Sequence, residues 1–122
     1  MGLSKNGAIK SITRKRTREL IGLIELALVE TETTPMPDKK EFENIIHKTL
    51  KRYMAMVEAE GGTFAISVDK ITNWNELLCA IVIQAVKVDL SDDPRSMGMG
   101  SDEDFSLIIE IVEKELIKWR NR

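Results

Sequence analysis

The sequence predicts a mainly α-helical fold, a bundle of about four helices with one short extended segment at residues 63–68. Three observations predict it. Apolar residues recur at spacings of three and four over most of the chain. The helix breakers collect at Pro35 and Pro37, at Gly61 and Gly62, and at Pro94, Gly98 and Gly100, which leaves segments of helical length between them. Those segments take in about 80 of the 122 residues, far above the usual helical share of roughly one third.

The first helix is expected from about Ile9 to Glu30. Leu20, Leu23, Ile24, Ala27 and Leu28 fall on one stripe. Its start is loosely marked, because Ser11, Thr13 and Thr17 are poor helix formers and each is a competent N-cap. Residues 31–37 form a loop, since Pro35 and Pro37 cannot lie inside a helix.

Asp38 with Glu41 three residues on resembles a capping box. Phe42, Ile45, Ile46, Thr49, Leu50, Tyr53, Met54 and Val57 then make the clearest amphipathic stripe in the chain. Gly61 and Gly62 supply the stop, so this helix runs from about Lys39 to Glu60.

In residues 63–68, Phe64, Ile66 and Val68 would point to one side of an extended chain. A lone strand needs a partner and no second strand is convincing. The segment either pairs with its equivalent in another copy or runs extended across the helices.

Asn73 and Glu76 form a second capping pair ahead of a helix from Trp74 to about Leu90. Between Leu77 and Val86 its only polar residue is Gln84. A helix apolar on every side is buried on every side, so it is either the centre of the bundle or a contact between subunits. Its β-branched Ile81, Val82 and Ile83 also suit a buried strand. After a polar loop at residues 91–101, Ser101 and Asp104 cap the last helix. Asp102, Glu103 and Asp104 lie at its positive end and Lys118, Arg120 and Arg122 at its negative end, as the helix dipole favours. Phe105, Ile108, Ile109, Val112, Leu116 and Trp119 form its buried stripe.

The chain reads as one helical domain over residues 1–122, with a basic N-terminal segment at residues 1–18. The net charge of −2 argues against attraction to nucleic acid by overall charge but leaves room for a local patch. Residues 1–18 supply that patch: Lys5, Lys10, Arg14, Lys15, Arg16 and Arg18, with no acid. They are the candidate anion-binding or partner-binding residues, and phosphates of DNA or RNA are the simplest anions they would meet. The segment has no aromatic residue for base stacking. The plainer reading is a solvated extension, or an arm held by acidic residues.

A candidate counterpart exists. Residues 91–113 carry seven acids against Arg95 alone, and Asp92, Asp93, Asp102, Glu103 and Asp104 form the candidate acidic partner surface. Opposite charges on one chain favour contacts between copies. Acids at a helix start are also ordinary caps.

Little else in the sequence carries chemistry. Asp92, Pro94 and Ser96 fail the alternating pattern of a calcium loop, and no metal or other cofactor is expected. Gly98 and Gly100 precede a helix start, but the acids at 102–104 would repel a phosphate there. The single His47 and single Cys79 show no catalytic partner, and the apolar setting of Cys79 favours an inert thiol. Met97 and Met99 suit an adaptable surface, and Trp74 and Trp119 suit edge packing or an interface. No apolar run is long enough to span a bilayer and no leader is evident, so the expected setting is the cytoplasm.

The expectation is therefore a non-enzymatic, homo-oligomeric interaction protein. Its basic segment would engage an anionic partner, either a protein surface or its own acidic region. The competing readings are a sequence-independent nucleic-acid binder, and a small-ligand protein or enzyme with its site between subunits.

Overall fold

The computed structural model describes residues 5–30, 39–64, 73–91 and 102–121. They form four helices: α1 (Lys5–Glu30), α2 (Lys39–Ala59), α3 (Trp74–Leu90) and α4 (Asp102–Arg120).

Helix α1 begins a full turn before the expected Ile9. The threonines explain the difference. Thr13 and Thr17 do not cap; their hydroxyls donate to the carbonyls of Ile9 and Thr13, one turn back in the same helix, at 2.6 and 2.7 Å. Bonded this way they are buried within the helix at no loss of hydrogen bonding.

The other helices follow the apolar pattern. Helix α2 ends in a Schellman turn, with the Gly62 amide donating to the Val57 carbonyl at 2.8 Å and the Gly61 amide to the Glu58 carbonyl at 3.0 Å. Gly61 takes the positive φ of +112° that this turn requires. Helix α3 opens on the Asn73 side chain, which accepts from the Asn75 amide at 2.9 Å. Its β-branched run is helical, with Ile81 and Val82 fully buried. Thr63 and Phe64 have no strand pairing, and Phe64 packs against the core. The rest of the expected extended segment, residues 65–68, lies outside the described residues, as do Asp38 and Ser101.

Cross-helix contacts fix the directions. Lys5 meets Asp104 and Arg18 meets Glu115, so α1 and α4 run parallel. Trp74 meets Trp119 and Lys87 lies over Phe105, so α3 and α4 are antiparallel. Arg16 reaches Glu60 and Asp89, beyond the end of α2 and near the end of α3, so these two helices point the same way. The order is up, down, down, up. Helices α1 and α3 face each other through the centre, with α2 and α4 on either side and scarcely touching. One core joins all four, from Leu20 and Ile24 through Leu50, Tyr53, Leu78 and Ile81 to Ile108 and Val112. No helix among the described residues is long and apolar enough to cross a membrane.

Candidate functional site

The fold divides the basic segment into three sets. Lys5 and Arg16 turn inward. Lys10, Arg14 and Lys15 are exposed on α1 and have no ion pair to described residues, and Arg18 lies on the seam with α4.

Arg16 is the hub of a polar network. Its side chain is 10% exposed and forms a two-bond fork with Asp89, Nε to Oδ2 at 2.7 Å and Nη2 to Oδ1 at 2.6 Å. Nη2 also donates to Glu60 at 2.7 Å, and Nη1 donates to the Tyr53 hydroxyl at 3.0 Å. That hydroxyl donates in turn to Glu19 at 2.7 Å. The Asp89 fork raises the Arg16 pKa further, and burial raises that of Tyr53, so both keep their protons across the physiological range. Arg16 thus ties α1 to α2 and α3. Its place was readable in the sequence: Ile9, Thr13, Arg16 and Leu20 lie on one helical stripe, and grouping Arg16 with its basic neighbours hid this.

Along the other side, Lys5 Nζ lies 3.0 Å from Asp104, whose side chain is 5% exposed. Farther on, Arg18 donates from Nε and Nη2 to the two Glu115 oxygens, each at 3.1 Å. Glu115 is 8% exposed at its side chain, and Lys118 Nζ lies 3.8 Å from the same carboxylate. The Arg18 bonds hold the Glu115 carboxyl below its ordinary range, with the positive fields of Lys118 and Arg14 adding to the effect. On α1 itself, Ser11, Arg14, Lys15, Arg18 and Glu19 line a shallow hollow of about 590 Å³. Sequence reasoning missed Glu115 and Lys118, because only the parallel packing of α1 on α4 brings them to the basic segment.

The candidate acidic surface is also divided. Asp102 and Glu103 are exposed, Asp104 is turned to Lys5 of its own chain, and Asp92 and Asp93 lie outside the described residues. Among the described residues no three of His, Cys, Asp and Glu are gathered as metal ligands would be.

Helix α3 keeps one side open. Cys79, Ala80 and Ile83 face Ile109, Leu116 and Ile117 of α4 across a groove of about 580 Å³. Ile117 is 57% exposed there. One end is framed by Trp74 and Trp119, edge to face at 6.4 Å, with Arg120 over the Trp74 ring. Burial, reinforced by the charges of Glu113 and Glu76, pushes the Cys79 thiol up to about 11, so it is protonated and unreactive near neutral pH. His47, half-buried on α2, does not line this groove.

No protein-family model, curated protein or solved structure matches this chain.

Proposed function

We propose that this chain is a non-enzymatic interaction protein that assembles with copies of itself and presents the outer side of α1 to an anionic partner. The observation that carries the reading is the sorting of the basic segment. The cations the fold uses, Lys5, Arg16 and Arg18, are paired within the chain, whereas Lys10, Arg14 and Lys15 form no ion pair to described residues and are exposed on α1. Among the described residues no carboxylate forms an ion pair with these three, which suits them to a separate anion. Self-association is assigned to the α3–α4 groove, where Ile109 and Ile117 of α4 leave an open apolar wall opposite Cys79, Ala80 and Ile83. A cytoplasmic setting suits the free thiol of Cys79.

Two measurements test this. Sedimentation at micromolar concentration should give a particle heavier than the 13.8 kDa chain, and Ile117→Glu should reduce it to the single chain. Replacing Lys10, Arg14 and Lys15 together by Ala should abolish retention on an anionic polymer while leaving the particle mass unchanged. Arg16 is kept in that variant because the fold depends on it. A 13.8 kDa species alone would remove the assembly half of the reading; unchanged retention would remove the other half.

A further inference from the structure

We propose that the anionic partner is a duplex nucleic acid, held by its phosphate backbone at a notch between α1 and α4 that Arg14, Arg18 and Lys118 form around Glu115. This rests on the reading of α1 as the anion-presenting face, and it adds a residue from the far end of the chain.

The notch is built from below. Glu115 is almost fully buried and its two oxygens grip Arg18 by Nε and Nη2, which fixes the guanidinium in one orientation. A guanidinium held along one edge keeps Nη1 and the outer N–H of Nη2 for a second anion. Lys118 approaches the same carboxylate at 3.8 Å and remains 69% exposed. Arg14 precedes Arg18 by one helical turn and lines the same hollow. Two cations therefore contact one carboxylate while the field of Arg14 also reaches it, and Arg18 and Lys118 stay 61% and 69% exposed to solvent. Glu19 also lines the hollow, and its carboxylate is already engaged, accepting from Tyr53 and lying 3.7 Å from Arg16.

The form of the partner follows from the spacing. Lys10, Arg14 and Arg18 repeat every four residues, so they make a slanted row on α1 with a step of about 6 Å. A row of cations suits a regular line of phosphates better than one isolated ion. Helix α1 has no aromatic side chain, and binders of single strands hold bases by stacking. A duplex, which offers phosphates on a stiff frame and needs no stacking, is the form that fits. With contacts only to phosphates, binding is independent of base sequence.

The experiment is fluorescence anisotropy of a short labelled duplex DNA titrated with the full chain at salt between about 50 and 200 mM, the range over which phosphate contacts are read. Affinity should fall linearly in log–log with salt. Lys118→Ala should flatten the slope by about 0.9, the loss of one phosphate contact, and Lys118→Arg should restore it. Arg52→Ala, an exposed cation on α2, should leave the slope unchanged. A single strand of the same sequence should bind more weakly than the duplex. The notch is overturned if Lys118→Ala leaves the slope unaltered or if Arg52→Ala flattens it equally. It is also overturned if the single strand binds as tightly as the duplex. Those failures leave the exposed side of α1 intact as an anion-binding face. Retention on polyglutamate without DNA binding makes the partner an acidic protein and overturns the nucleic-acid assignment alone. No binding to either polymer removes both.

Discussion

At the scale of single residues, Arg16 shows how a charged side chain is tolerated inside an apolar bundle. Each of its three nitrogens donates to an acceptor, and the carboxylates it meets are themselves 29–43% exposed, so water shares the cost of holding them. Removing only the guanidinium breaks that arrangement. Arg16→Ala should lower stability by about 3 kcal/mol, the lower end for a broken buried pair because the acids regain water. Urea unfolding measures it, and a loss under about 1 kcal/mol would show the network to be dispensable. Glu115 makes a second residue-scale prediction. Its carboxyl titrates below its ordinary range in the folded chain because Arg18 bonds the ionised form. The unfolded chain takes up that proton near pH 4.3, the folded chain only at lower pH. The stabilisation is complete above the unfolded value and fades as pH falls through the folded one. The gap in Tm between the native chain and Glu115→Gln should therefore narrow from pH 7 to pH 3. A gap that stays constant or widens would mean that the Arg18 bond adds no stability.

At the scale of elements, most of the helical pattern was legible and the misses have identifiable causes. Helices α2 and α3 begin and end within a residue of where capping residues and apolar spacing put them, and α4 begins where expected, at Asp102. Helix α1 starts early because a threonine that bonds back along its own helix leaves the same trace in sequence as one that caps. The β-branched run of α3 was open to two readings because a fully buried element has no polar face to reveal its period. The α2 terminus rests on space as well as on backbone angle. A Cβ added at Gly62 would come within 2.6 Å of Val57 Cγ1 and 3.0 Å of the Val57 carbonyl oxygen, with Val88 Cγ2 behind at 3.3 Å. Gly62→Ala should destabilise the protein by about 1–3 kcal/mol, as overpacking does. Its denaturation midpoint should fall while the dependence on denaturant stays the same. An unchanged midpoint would mean that the turn adjusts freely.

At the scale of the whole molecule, helix direction was not legible at all. Apolar periodicity gives each helix a face but no sense of up or down, and the parallel pairing of α1 with α4 emerges only from contacts such as Arg18 with Glu115. For the same reason the sequence displayed the basic segment as a uniform run of charge. Its division into buried, bridging and exposed members depends on which neighbour lies against each side of α1. The pairing of α1 with α4 is also the most extensive between any two helices. A chain ending at residue 100 should accordingly keep some helical circular dichroism but lose its cooperative thermal transition. A sharp transition in that shortened chain would show the first three helices to be self-sufficient.

The same pairing sets a clock on synthesis. Arg18 and Glu115 are 97 residues apart, so α1 is made well before the helix that pairs with it. At about 5–20 residues per second the ribosome needs roughly 5 to 20 seconds to deliver that partner. Throughout that interval the flank of α1 that α4 will cover has only water or a chaperone against it. The four-helix core thus closes only after translation has passed α4, and a chain stalled before that point exposes the surface of α1 that α4 covers.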